Sequence, residues 1–163
     1  SMKIISNAPS NRWDEYKQLR IEALEKVPQA FLDEPSQAKN LPEQEWQRKM
    51  KNMHFAEVNG ELVGMVGAYQ EEKKKLKHIL NIVSVYVKPS FRGQGIGKAL
   101  LQQVIETAKK NQEIKKILLG VVTTQEPAHA LYKSLGFNQV GHLKYAVKVD
   151  DTYFDEYYME LYL

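Results

Sequence analysis

The order of segments between residues 79 and 123 constrains the fold more than anything else in the chain. Residues 79–87 are a long, largely apolar run that ends at Pro89, and residues 117–123 are apolar and partly β-branched again. Between them, Ile96, Leu100, Leu101, Val104, Ile105 and Ala108 recur at helical spacing within residues 96–111. Two strands joined through a helical crossover run parallel. A parallel pair is buried on both faces and needs helices over it, so an α/β architecture is predicted.

The flanking segments add antiparallel strands. Residues 2–6 read as a short edge strand. Residues 55–58 and 62–69 flank Asn59-Gly60, a pair suited to a two-residue turn in which both central residues take positive φ. Residues 140–149 and 153–163 alternate around Asp150-Asp151 as a second hairpin. Helices are predicted where Trp13, Tyr16, Leu19, Ala23 and Leu24 share a face, with an Asn11/Asp14 capping box and a stop at Pro28, and again over residues 41–50. Residues 29–40 read as loop and residues 71–77 as a charged, solvated connection. A third helix over residues 127–135 closes at Gly136, with Phe137 turning back to the core. With 163 residues the chain is expected to form a single domain over residues 1–163, a mixed α/β sheet with helices on its faces. Ser1 in front of Met2 reads as a remnant of recombinant expression.

The absence of cysteine excludes disulfides, thiolate catalysis and cysteine-ligated zinc, and suits a reducing compartment. His54, His78, His129 and His142 lack metal-ligand spacing, so no metal is expected. The net charge of +3 is too small for a nucleic-acid footprint. No apolar run approaches the roughly 20 residues of a membrane helix, and no charged-then-apolar leader opens the chain. The expectation is therefore a cytoplasmic protein with neither a nucleic-acid nor a membrane partner.

The chemistry lies in the stretch from Val87 to Leu101, where a strand passes through Arg92-Gly93-Gln94-Gly95-Ile96-Gly97-Lys98 into the helix. Glycines let a ligand approach the backbone, and the first N–H groups of a helix carry about half a positive charge where an anion can sit. A nucleotide P-loop needs four residues between its glycines and then Lys with Ser or Thr, whereas Gly93 and Gly97 enclose three and Lys98 precedes Ala99. The dinucleotide pattern G-x-G-x-x-G needs glycine where Lys98 stands.

The pattern that remains, R-x-x-G-x-G at Arg92, Gly95 and Gly97, resembles that of the GNAT superfamily of N-acetyltransferases. So does Ala128-His129-Ala130-Leu131-Tyr132-Lys133-Ser134-Leu135-Gly136-Phe137, which is similar to that family's second signature, A-x-x-L-Y-x-x-x-G-F. The resemblance implies a mostly antiparallel sheet of about seven strands with a central splayed parallel pair. It implies acetyl-CoA as cosubstrate, with the backbone of Arg92, Gly93, Gln94, Gly95, Ile96, Gly97 and Lys98 on the pyrophosphate. The main chain of Val85, Tyr86 and Val87 would pair with the pantetheine amides, with Gln125, Ala128 and Tyr132 completing the coenzyme contacts. Gln125 stands where the family commonly has Asn, which keeps the amide but lengthens it.

An amine attacks a thioester only when neutral, and the departing thiolate gains from a nearby acid. Tyr132 is the candidate acid, and a strand N–H near Val85 could stabilise the acetyl oxygen as it becomes negative. Many family members carry Glu on the strand before the glycine turn, but residues 79–91 contain no Asp or Glu. Glu22, Glu126, Asp155 and Glu156 therefore stand as proton acceptors, directly or through water. With no cysteine to relay the acetyl group, the amine is expected to attack directly in a ternary complex. The acceptor is a small-molecule or peptide amine, and the resemblance allows a homodimer through the C-terminal strands or an exposed helix. A catalytically silent acyl-CoA-binding module is the competing expectation. Trp13 and Trp46 are expected to pack, the aromatics at 153–162 to form core and cross-strand pairs, and the lysines at 73–77 to be solvated.

Overall fold

The central strand, helix and strand are present in the computed structural model, which describes residues 1–163. In chain order the elements are β1 (Met2–Ile5), α1 (Trp13–Lys26), α2 (Pro35–Lys39), α3 (Glu43–Met50), β2 (Met53–Val58), β3 (Glu61–Gln70), β4 (Ile79–Val87), α4 (Ile96–Lys110), β5 (Lys116–Val122), α5 (Glu126–Ser134), β6 (Asn138–Val149) and β7 (Thr152–Tyr162). The seven strands form one sheet in the order β1-β2-β3-β4-β5-β7-β6, with β4 and β5 parallel. Two compact units interleave along the sequence: Ser1–Ala68 with Ser84–Val104, and Tyr69–Val83 with Ile105–Leu163.

In the first unit, α1 and α3 bury Tyr16, Leu19, Leu24 and Trp46 with Phe55 and Met65 of the sheet. The rings of Trp46 and Phe55 meet Tyr16 edge-on at 5.4 and 5.5 Å, the favoured arrangement for buried aromatics. Trp46 is fully buried and Trp13 packs at the margin of this core, so both tryptophans serve packing. Asn59 (φ 50°) and Gly60 (φ 83°) take the positive φ expected of the β2–β3 turn. Two local expectations are corrected. Asn11 lies in a 3-10 turn over Ser10–Arg12 and caps nothing, while Asp14 instead accepts a bond from Gln18 at 3.2 Å. The segment at 29–40, read as loop, contains α2, for which Pro35 supplies a preset φ at the first turn.

Arg12 ties this unit together. Its guanidinium donates to Glu57 at 2.6 Å and to Glu15 at 2.7 and 2.8 Å. The Arg12 bond holds the Glu57 carboxyl below the usual glutamate range. A depressed carboxylate pKa contributes stability that is complete above the unfolded-state value and is lost as pH falls through the lower folded value. The urea midpoint should therefore fall as the pH drops below the ordinary glutamate range, and Glu57→Gln should flatten that dependence. An unchanged acid slope in the variant would show that the ion pair contributes nothing.

In the second unit, β4 and β5 are in register from Ile79↔Lys116 to Ile82↔Leu119, where the ladder stops. β5 pairs with β7 from Lys116↔Tyr162 to Val122↔Glu156, and β7 pairs with β6 through a turn with Asp150 at φ 52°. Side chains alternate across a strand. Ile117, Leu119 and Val121 with Met159 are buried on one face, while Lys116 pairs with Glu160 on the other. The C-terminal aromatics meet their expectation in part: Tyr153 and Tyr157 pair across the hairpin with Tyr145 and His142 and Phe154 is half-buried, but Tyr153, Tyr158 and Tyr162 are exposed rather than in the core. No helix is long and apolar enough to cross a membrane.

Candidate functional site

The glycine turn belongs to the first unit. Gly93 and Gly95 both have φ +79°, a conformation that side chains strain against, and no atom lies within 4 Å of where a Cβ would stand on either. The backbone is thus open to a ligand. α4 closes its first turn with Ala99 N–H donating to Gly95 carbonyl at 3.0 Å, which leaves the N–H groups of Ile96, Gly97 and Lys98 without an intrahelical acceptor. Those groups and the helix dipole would favour an anionic oxygen placed against the turn.

Arg92 reaches back rather than outward. Its Nε donates to the Val87 carbonyl at 3.0 Å, and its guanidinium lies 5.6 Å from the centre of the Tyr86 ring. Lys98 is exposed on the helix. The buried Tyr86 donates its hydroxyl to Glu22 of α1 at 2.6 Å, and burial, then Glu22, push the phenol up. Val85 and Val87 are half-buried on either side of it. Immediately before them Ser84 has φ +55°, a left-handed break in the strand.

Sequence reasoning did not find the group that holds that break. Arg20 donates to Ser84 Oγ and to Asp33, each at 2.8 Å, with its guanidinium 5.9 Å from the Phe31 ring centre. Nothing local announces this, since the partners are far apart in sequence. Gly120 of the second unit was legible and passed over: an isolated glycine within an apolar strand marks a close approach. A Cβ there would stand 2.8 Å from Glu156 Oε1.

The second signature has a local physical reason. Gly136 (φ 99°) donates to the Lys133 carbonyl and Phe137 to the Tyr132 carbonyl, both at 3.0 Å. This pair of bonds is the Schellman closure, and the ring contact between Tyr132 and Phe137 at 6.0 Å is the apolar contact that accompanies it. Spacing of Tyr, Gly and Phe in the signature is thus the spacing of a capped helix end. Gln125 stands at the N-terminal boundary of α5 without a side-chain capping bond, and Gln125, Ala128 and Tyr132 recur on one helical face. Tyr132 is 5% exposed, and burial alone pushes its phenol up. The structure therefore keeps its proton in place through neutral pH.

Among the open proton acceptors, Glu126 is exposed in the first turn of α5, and Asp155 accepts from the Tyr145 N–H at 3.0 Å with His142 Nε2 at 2.8 Å. His54 contacts Ser6 at 2.9 Å and His129 stacks on Tyr157. No group of three or more His, Asp or Glu side chains comes together to hold a metal.

The N-acetylaspartate synthetase of Xenopus tropicalis is 35% identical over 92 residues, covering 56% of this chain and 32% of that protein, so the match spans about a third of the relative's length. The solved acetyltransferase of the GNAT family from Streptococcus pneumoniae superposes with a TM-score of 0.87 at 21% identity over 100% of both chains. A GNAT superfamily phosphinothricin acetyltransferase from Sinorhizobium meliloti, solved in complex with acetyl-CoA, gives a TM-score of 0.84 at 19% identity over 99% of this chain and 88% of that one. These two likenesses establish the fold. The model of the acetyltransferase (GNAT) family matches residues 13–137, which takes in both the glycine turn and the capped tyrosine helix, and the chain belongs to that family.

Proposed function

We propose that the chain, acting as one domain over residues 1–163, transfers an acetyl group from acetyl-CoA to a primary amine by direct attack in a ternary complex. The observation that carries this reading is the open turn at the head of α4, where Gly93 and Gly95 leave the backbone bare and three helical N–H groups lack acceptors. A pyrophosphate fits such a cradle because it is anionic and needs donors in close array. Backbone groups of Val85, Tyr86 and Val87 suit an extended ligand bearing amides. Gln125 and Ala128 share the helical face of Tyr132 and border the coenzyme arm.

In the transfer, nitrogen attacks the acetyl carbonyl carbon, the C–N bond forms and the C–S bond breaks toward sulfur. Tyr132 donates its proton to the sulfur, and its burial supports that role by keeping the phenol protonated. A module that only bound the coenzyme would use the turn but give that hydroxyl no task.

The test is release of free coenzyme thiol from acetyl-CoA with spermidine, L-aspartate, an aminoglycoside and an alanine-initiated peptide in turn. At least one amine should raise thiol release well above the amine-free rate. Tight acetyl-CoA binding with no amine-dependent release would replace the enzyme reading with a silent binding module.

A further inference from the structure

The structure sets Glu156 apart from the other open carboxylates. Glu22 already accepts the Tyr86 hydroxyl, Asp155 is held by His142 and the Tyr145 N–H, and Glu126 is exposed. Glu156 is half-buried without a hydrogen-bond or ion-pair partner. A carboxylate taken partly out of water costs free energy unless a cation or donors meet it, so this one lacks a counterpart.

Its position is specific. β7 lays Glu156 opposite Val122, and the alternation of side chains puts it on the same face as Gly120. Helix α5 covers the other face, where His129 stacks on Tyr157 at 4.6 Å and Gly136 lies against Leu161. The carboxylate lies across Gly120, in space that a Cβ would enter to within 2.8 Å of Oε1 and 2.9 Å of Cδ. The parallel ladder of β4 and β5 ends at Leu119, one residue before that glycine. Further along the same face Glu160 is already matched by Lys116 and Tyr162.

We propose that Glu156, seated in the slot left by Gly120, receives the ammonium group of the acceptor and takes its proton. The inference rests on the acetyltransferase reading above. The acceptor docks as R–NH3+, one proton passes to the Glu156 carboxylate, and the neutral nitrogen forms the C–N bond. The second nitrogen proton leaves as the C–S bond breaks and replaces, in net, the one Tyr132 gives to sulfur. Glu156 then returns its proton to water, so each turnover yields amide, free thiol and one proton.

The groups facing Glu156 are Gly120 and Val122 of β5, Tyr158 along β7 and Leu143 of β6, none of them charged at neutral pH. Burial pushes the carboxyl up, which brings it closer to the amine it must deprotonate.

Wild type, Glu156→Gln and Gly120→Ala are compared by calorimetry with acetyl-CoA and by thiol release with the same four amines across pH. Both variants should bind acetyl-CoA within about twofold of wild type and lose roughly 100-fold in kcat/KM at neutral pH, the lower end for a positioned base. The deficit should narrow at alkaline pH, where free amine becomes abundant. The acid limb of kcat should vanish in Glu156→Gln and persist in Gly120→Ala, which keeps the carboxylate but displaces it. Wild-type kcat/KM and an unchanged acid limb in Glu156→Gln would overturn the assignment. Wild type that binds acetyl-CoA yet acetylates none of the amines would overturn the acetyltransferase reading itself, and the assignment with it.

Discussion

Gly95→Val is expected to weaken acetyl-CoA binding by at least about 100-fold, or roughly 2.7 kcal/mol. The position has φ +79°, where a β-branched residue is strained, and the new side chain would project into the open space beside the turn. No protein atom lies within 4 Å of that space, so the substitution does not collide with the fold. What it obstructs is the approach of a ligand to the backbone. Gly60→Val is the matched control, because Gly60 has φ +83° and equally open surroundings but lies in the β2–β3 hairpin. Comparable strain in the two variants should appear as comparable shifts in urea midpoint, with coenzyme affinity lost only in Gly95→Val. Calorimetry showing wild-type affinity for Gly95→Val would remove the turn from the binding site. Equal losses in both variants would trace the effect to stability.

The two signatures were legible in the sequence because each encodes a backbone requirement within a few residues. Gly93 and Gly95 adopt a conformation other residues avoid, and the Tyr132, Gly136 and Phe137 spacing is that of a Schellman cap. The Asn59-Gly60 turn was legible for the same reason. The α1 start was misread because Asn11 and Asp14 have the right types and spacing for a capping box, while the chain enters α1 through a 3-10 turn that leaves Asn11 outside the cap position. Short α2 escaped because five residues hold too little periodicity to register. Arg20, Ser84 and Asp33 meet only after folding, and the pairing of Gly120 with Glu156 depends on the β5–β7 register. Long-range polar contacts leave no local period to read. The exposed tyrosines of β7 show the converse error, since alternation identifies the two faces of a strand but not which of them is covered.

Tyr132→Phe is expected to keep the fold and coenzyme affinity while lowering kcat on the order of 10- to 1000-fold. The ring retains its contact with Phe137, and the Schellman bonds run through the backbone, so packing changes little. What disappears is the proton. Burial raises the phenol above its ordinary value, while a thiol loses its proton near pH 8.5, so complete transfer to a free thiolate would be uphill. In the proposed transfer the hydroxyl would therefore act first as a donor to charge growing on sulfur, with full transfer balanced by the proton leaving nitrogen. That sequence sets the size of the effect, as a hydrogen bond to developing charge is worth a few powers of ten at most. It also sets the pH dependence. A raised phenol pKa means the acid stays protonated as pH rises, so wild-type kcat should show no basic limb from Tyr132 below about pH 10. A limb between about pH 7 and 9 that vanished in Tyr132→Phe would contradict a buried, protonated donor. Unchanged kcat with chemistry rate-limiting and acetyl-CoA bound normally would return Tyr132 to a purely packing role.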